Sequence, residues 1–309
     1  MLTVIFLGTP EFALPSFNAL LSHPDINVIG VMTQPDRPSG RGQKLTPSPV
    51  KCLALEHQLS VMQPERLRKE PDMIAWLRDL VPDFLVTAAF GQILSQAVLD
   101  IPKYGTVNVH ASLLPAYRGP NPVQWAILNG DDKTGVTTML TDIGIDTGAM
   151  LLKADTLIDP DEDALSLTHR LAELGGTILP KTILEYARGN LIPQPQDETQ
   201  ATHAPKLEKT DAALDWSQPA KTIHNKIRGQ QPWPGATSHI ADLPVKILKT
   251  RLPDPMASPS HAHPGDIIGT TDTALIIQTQ DGPLFIEKIQ PPNKPVMSAK
   301  DWANGLRHK

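Results

Sequence analysis

Leu2-Thr3-Val4-Ile5-Phe6-Leu7-Gly8-Thr9-Pro10-Glu11-Phe12-Ala13 opens the chain. Residues 2–7 are a short apolar run that stops at Gly8, and an amphipathic stretch over 11–21 follows. That order reads as strand, turn and helix. Thr9 is placed to cap the helix, and Pro10 stands at the first helical position, where its missing N–H is tolerated. A second apolar run over 26–32 predicts the returning strand of a βαβ unit, hence a parallel sheet. Further strands are predicted at 84–87, 106–109 and 136–142, with helices around 73–80, 122–129 and 163–188. The first turn keeps only Gly8 of the Gly-x-Gly-x-x-Gly pattern that lets backbone approach a pyrophosphate, and Pro10 removes an amide donor. This weighs against a nicotinamide or flavin domain.

The α/β pattern closes at Gly189, so residues 1–189 are expected to form one domain. Residues 190–205 hold Pro193 and Pro195 without sustained periodicity and read as a linker. From 206 to 309 the pattern changes: a helix over 218–228 capped by Ser217, then short β-like runs at 236–240, 245–248, 266–268, 274–279 and 284–289. Asp281-Gly282 supplies a turn between the last two, and Ser298 caps a final helix over 299–305. Five short strands in a small domain predict a barrel or sandwich. Charge divides at the same place. Residues 1–205 carry 15 Lys+Arg and 23 Asp+Glu, net −8, whereas 206–309 carry 13 and 10, net +3.

The composition agrees with two folded domains. The chain has 309 residues with 40% hydrophobic and 20% charged content, and its net charge of −5 excludes a globally basic nucleic-acid-coating protein. Its 31 prolines are scattered, which suits long ordered loops. One cysteine, Cys52, excludes an internal disulfide and a multi-cysteine metal site. No run approaches the roughly 18 apolar residues of a membrane span, and the first residues read as a strand rather than a signal peptide. A cytoplasmic protein without membrane contact is expected. His261 and His263 have no third ligand nearby, so no metal is expected.

The densest chemistry lies in Gly105-Thr106-Val107-Asn108-Val109-His110-Ala111-Ser112-Leu113-Leu114-Pro115, continuing to Tyr117-Arg118-Gly119. Val107 and Val109 alternate with Asn108 and His110, so amide and imidazole share one face near the strand end, where an open α/β sheet holds its ligand. A structural strand-end histidine is the plainer alternative. Thr141-Asp142-Ile143-Gly144-Ile145-Asp146-Thr147-Gly148 brackets a carboxylate between two glycines in a loop, which reads equally as a solvated turn. Together the three polar groups suit acyl transfer to an amine. Asn108 can donate to the oxygen of a tetrahedral intermediate; His110 can take a proton from the nitrogen or add a second donor; Asp146 can orient the imidazole. Ser112 and Thr147 are possible nucleophiles, although direct attack by an amine needs none.

Several of these stretches make the chain resemble the methionyl-tRNA formyltransferase family along nearly its whole length. They are Gly8-Thr9-Pro10, Gln34-Pro35-Asp36-Arg37-Pro38-Ser39-Gly40-Arg41-Gly42, Asn108-x-His110, Ser112-Leu113-Leu114-Pro115 with Arg118-Gly119, and Asp146-Thr147-Gly148. The sequence departs from the family at Ala116-Tyr117 and Pro120-Asn121-Pro122, where a basic residue and small residues are usual. The resemblance implies a Rossmann-like formyltransferase fold and an OB-like C-terminal β-barrel that binds tRNA. It implies catalysis by Asn108, His110 and Asp146, and contacts from Ser112, Leu113, Leu114 and Pro115 to 10-formyltetrahydrofolate, with no metal. The amine acceptor would be initiator methionyl-tRNA.

Arg37, Arg41, Lys44 and Lys51 put four cations against Asp36 in the proline-rich loop, with Gly40 and Gly42 flanking Arg41. With the resemblance, this loop is expected at the tRNA acceptor arm, Arg41 penetrating farthest. Lys206, Lys209, Lys246, Lys249 and Arg251 would track phosphates farther away. A monomer is expected, because no exposed apolar stripe stands out. The competing readings are a formyltransferase acting on a small amine such as an amino-sugar nucleotide, and a catalytically silent RNA-binding protein.

Overall fold

The structure, a computed structural model, describes residues 1–39, 44–253 and 261–306. The first half runs β1 (Leu2–Gly8), α1 (Leu14–Leu21), β2 (Ile26–Met32), β3 (Arg37–Ser39), β4 (Lys44–Thr46), α2 (Pro49–Glu56), β5 (Val61–Met62), α3 (Pro71–Asp79), β6 (Phe84–Ala88), α4 (Gln96–Leu99) and β7 (Thr106–His110). The second runs α5 (Pro122–Leu128), β8 (Lys133–Leu140), β9 (Met150–Leu157), α6 (Ala164–Ala187), α7 (Ala220–Gly229), β10 (Ala236–Ile240), β11 (Leu243–Arg251), β12 (Ile267–Thr270), β13 (Leu275–Gln278), β14 (Pro283–Gln290), β15 (Met297–Ser298) and α8 (Ala299–Leu306).

Seven strands form one sheet in the order β5-β2-β1-β6-β7-β8-β9. β1 pairs parallel with β2 and β6, and the β2–β5 and β6–β7 pairs are parallel too; β7 and β8 run antiparallel. The mostly parallel sheet expected from the opening βαβ unit is present. Val4, Ile5, Phe6 and Leu7 are fully buried, as a central strand covered on both faces requires, and Phe6 stacks on Phe17 of α1 at 4.8 Å between ring centroids. A chain direction that moves one way from β1 to β2 and the other way to β6 opens a crevice at the carboxyl ends of these strands.

The first turn differs from its sequence reading in one respect. Pro10, not Thr9, precedes the opening 3-10 turn, and no side chain caps it. The Thr9 hydroxyl instead accepts the Gln34 N–H at 3.1 Å, so it ties the end of β1 to the end of β2. Gly8 is needed for close packing: a Cβ there would lie 2.9 Å from the Ala13 Cβ and 3.0 Å from the Ala88 carbonyl oxygen.

β8 begins three residues before the expected 136 and ends two before 142. Asp142 has left the strand because its carboxylate turns back onto the Gly144 N–H, at 3.0 Å. The strand β9 and the β3–β4 hairpin had no counterpart in the sequence reading.

The chain divides into two compact units. One comprises 1–119, 135–156 and 168–203; the other comprises 120–134, 157–167 and 204–309. The second unit thus draws in α5 and the loop before α6. Its Asn121 Oδ1 accepts the Leu207 N–H at 3.1 Å, and Arg228 Nη1 donates to the Glu162 carbonyl at 2.9 Å. Its sheet is wholly antiparallel in the order β10-β11-β14-β13-β12, with β15 on β14, which is the strand economy of an OB-like fold. Ile223, Ile227, Ile247, Leu275, Ile277, Leu284 and Ile286 form its core. The cap of α7 also differs from expectation. Ser217 bonds Asp215, and the first amide of the helix, Ala220 N–H, reaches the Asp281 carboxylate at 2.7 Å, 61 residues away. No helix among the described residues is long and apolar enough to cross a membrane.

Candidate active site

The parallel register sets Thr87 of β6 beside Asn108 of β7, and the Thr87 hydroxyl donates to Asn108 Oδ1 at 2.8 Å. This fixes the carboxamide so that its NH2 end faces the opposite way, toward Asp146, with Nδ2 3.5 Å from Oδ1 of that residue. Two residues on, the His110 imidazole is only 6% exposed. Its Nε2 lies 2.9 Å from the Tyr117 carbonyl oxygen; a carbonyl can only accept, so Nε2 carries the proton. Its Nδ1 faces Asp146 Oδ2 at 3.6 Å, longer than a hydrogen bond but within range of charge. The three side chains singled out in the sequence therefore converge.

Asp146 arrives by an indirect path. β8 is antiparallel to β7 with Leu140 beside Val107, so the loop after β8 starts at the early end of β7 and doubles back to reach Asn108 and His110. Asp142 organises the loop, accepting Gly144 N–H at 3.0 Å and the Thr147 hydroxyl at 2.7 Å. Gly148 passes so close to the Leu140 carbonyl that a Cβ would overlap it. Asp146 itself has φ +55°, a left-handed conformation that costs on the order of 1–2 kcal/mol for a residue with a Cβ. Four hydrogen bonds hold it there: the Gly119 N–H to Oδ2 at 2.9 Å, Asn108 Nδ2 to Oδ1, and two from Gln196 Nε2 to the Asp146 and Gly148 carbonyls.

The segment 112–115 is anchored from beneath. Thr137 of β8 donates to the Ser112 carbonyl at 2.7 Å and accepts the Leu114 N–H at 3.1 Å, while Lys153 Nζ donates to the Leu114 carbonyl. Burial pushes the Lys153 ammonium below the usual lysine range. Ser112 and Leu114 are fully buried, Leu114 against Met139 and Met150. Only the half-buried Leu113 and Pro115 offer side-chain surface from this stretch. The Ser112 hydroxyl is committed to the Ala116 carbonyl at 2.6 Å and the Thr147 hydroxyl to Asp142, so neither is presented as a nucleophile.

Sequence reading did not find Thr87, Thr137, Lys153 or Gln196. Gln196 and Glu198 lie in the stretch read as a linker, where no periodicity marks them; Gln194 bridges Met150, and Arg118 forks onto Glu198.

The cations expected on RNA lie in both units. Arg37 on β3 and Lys44 on β4 are exposed; Arg41, with Gly40 and Gly42, lies outside the described residues. Lys51 is engaged: its Nζ donates to Asp36 Oδ2 at 2.7 Å and to Gln63 Oε1 at 2.6 Å, and the Lys51 bond, with one from Gln63 Nε2 at 2.8 Å, holds the Asp36 carboxyl below its ordinary range. In the second unit Lys206, Lys209 and Lys246 are exposed. Lys249 and Arg251 flank Glu287 at 3.1 and 3.5 Å, and Arg251 stacks over Phe285 at 4.8 Å. Lys288, exposed and cross-strand from Lys249, adds a cation the sequence reading passed over. Among the described residues no cluster of three or more His, Cys, Asp or Glu could hold a metal ion.

With this geometry in hand, known proteins supply a context. The formyl transferase family model matches residues 2–183, and the model of the formyl transferase C-terminal domain matches 206–307. A protein of Trichlorobacter lovleyi named methionyl-tRNA formyltransferase is 46% identical over 302 residues, covering 98% of this chain and 93% of that protein. One of the same name from a Synechococcus species is 46% identical over 307 residues, covering 98% and 95%. Among solved structures, WlaRD, a sugar 3N-formyl transferase crystallised with dTDP and 5-N-formyl-THF, superposes with a TM-score of 0.69 at 21% identity, covering 96% of this chain and 99% of that one. HypX from Aquifex aeolicus in complex with tetrahydrofolic acid gives 0.60 at 19% identity; 99% of this chain matches 47% of that one, so this chain spans about half its length.

Proposed function

This chain belongs to the methionyl-tRNA formyltransferase family, and from that premise we propose that Asn108, His110 and Asp146 carry the family's reaction. The chain transfers the formyl group of 10-formyltetrahydrofolate to the α-amino group of methionyl-initiator tRNA, giving the N-formylmethionyl-tRNA used to start translation. The observation that supports these roles is the convergence of a carboxamide N–H, an imidazole and a carboxylate on one face of β7.

An α-amino group titrates near pH 7.7–8.0, so a useful fraction is already neutral at about pH 7 and no strong base is required. The methionyl nitrogen bonds to the formyl carbon, the carbon's bond to the folate nitrogen breaks, and the proton lost by the amine ends on that folate nitrogen. Asn108 Nδ2–H, aimed by Thr87, donates to the formyl oxygen as it gains charge. His110 relays the proton or adds a second donor, with Asp146 holding the ring and offsetting its charge. The folate is held along 112–115, by backbone groups and by the Leu113 and Pro115 side chains.

In the same reading residues 1–189 catalyse, 190–205 connect, and 206–309 bind tRNA. Arg37, Arg41 and Lys44 meet the acceptor arm, and Lys206, Lys209, Lys246, Lys249, Arg251 and Lys288 follow phosphates. A monomer acting in the cytoplasm, beside the charged tRNA it consumes, completes it.

The test is one incubation with formyl-labelled folate and methionyl-initiator tRNA. Label on the methionine nitrogen is the expected result. Label moving instead to an amino-sugar nucleotide, with none on tRNA, would overturn the reading, as would transfer that survives loss of both Asn108 and His110.

A further inference from the structure

We infer that Gln196 is a positioning residue for this reaction: its carboxamide fixes the backbone of the Asp146 turn and so keeps the Asp146 carboxylate beside His110. The inference rests on the catalytic reading of Asp146 given above.

Gln196 lies 50 residues beyond Asp146, after α6. A primary carboxamide has two N–H donors and one carbonyl acceptor, and here all are spent on the site. Nε2 donates to the Asp146 and Gly148 carbonyls, each at 2.8 Å, and Oε1 accepts Arg118 Nε at 2.9 Å. Arg118, only 4% exposed, is held by a two-pronged pair with Glu198, at 2.9 and 2.8 Å. Such a fork fixes the guanidinium plane, and through it the plane of the Gln196 amide.

The same assembly meets the other side of the imidazole. Gly119, next to Arg118, donates its N–H to Asp146 Oδ2 at 2.9 Å. Thr202, six residues beyond Gln196, takes the Arg118 N–H on its carbonyl at 2.9 Å and the Tyr117 N–H on its hydroxyl at 2.8 Å. Tyr117 supplies the carbonyl that meets His110 Nε2. One stretch of chain therefore sets both acceptors that flank the histidine ring. A glutamine that merely filled space would have no need to end both donors on the carbonyls of a single strained turn.

Gln196→Glu is nearly isosteric and keeps an acceptor for Arg118, but it replaces the two donors with an oxygen facing two carbonyls. It should lower kcat by about 10- to 100-fold, the scale of an ångström-sized misplacement, while KM for folate and for methionyl-tRNA each stay within about threefold. Gln196→Met, similar in volume and lacking donors, should give the same split, so a failure of one variant to fold leaves the other informative. On an Asp146→Asn background, read in single turnovers, the Gln196 substitution should cost less than about twofold, because two residues acting through one another are not additive. Hydrogen exchange of the peptide 141–149 should quicken at least about tenfold with β7 unchanged. Equal cost in both backgrounds, or unchanged exchange in 141–149, would overturn the inference. An Asp146→Asn enzyme at full rate would overturn the catalytic reading of Asp146 and this inference with it, whatever the exchange data showed.

Discussion

The turn that carries Asp146 and the arm that carries Arg37 and Lys44 are both excursions from the first unit, and they are built in opposite ways. In the turn almost every polar group is tied: Asp142 to Gly144 and Thr147, Asp146 to Gly119, its carbonyl and that of Gly148 to Gln196. Among the described residues of the arm, the side-chain ties concentrate at the base. Gln63 Nε2 donates to Thr33, Gln34 and Asp36, its oxygen takes Lys51, and beyond that Arg37 and Lys44 are exposed. The difference suits the roles proposed for the two regions. A reacting oxygen gains charge at one point, and a donor displaced by an ångström loses most of its effect. Phosphates attract by charge over several ångströms, and exposed cations suffice.

The contrast can be broken most sharply at the turn's partner strand. Asn108→Ala should lower kcat about a hundred- to a thousand-fold while tRNA binding, read by filter retention, stays within about twofold. A small loss of rate with a large loss of binding would invert the assignment of the two regions. At the arm, the double substitution of Arg37 and Lys44 by Ala should raise KM for methionyl-tRNA about tenfold at physiological salt and leave kcat and the folate KM unchanged. It should also flatten the log–log salt slope by roughly 1.4 to 1.8, the expected share of two phosphate contacts. The smallest effect is at the arm's base. Lys51 and Gln63 hold the Asp36 carboxyl below its ordinary value of 3.8, so the folded state binds its proton later than the unfolded chain does. The stability this gives is complete above that ordinary value and is lost as pH falls through the depressed one. Melts of Asp36→Asn should accordingly be flatter than those of the parent between about pH 4 and pH 2, and parallel to them above about pH 5.

Most of the first sheet could be read because its strands are largely apolar runs: Ile26–Met32 matches its predicted limits. Asn108 and His110 could be read because a strand's alternation places them on one face whatever surrounds it. What could not be read were the partners that aim them. Thr87 is fixed by register, Gly119 and the Tyr117 carbonyl act through backbone, and Gln196 reaches Asp146 from 50 residues away. The misassigned caps have the same cause: Thr9 and Ser217 had the right chemistry at the right position, but Gln34 and Asp281 came from distant chain to make or take the bond. Periodicity sees neighbours along the chain, and these contacts are set only by tertiary structure. β9 was missed because its outer half alternates polar and apolar on an edge and its inner half is too short to stand out.

Arg118 and Glu198 lie 80 positions apart, and Gln196 follows Asp146 by 50. A ribosome adding about 5–20 residues each second makes the carboxylate roughly 3 to 10 s before its brace. During that interval a nascent chain can pair β7 with β6 yet still lack the lock on the Asp146 turn. Full bracing of the Asp146 turn is therefore a late event of synthesis, reached only once the strand-poor stretch behind the long helix has emerged and folded back.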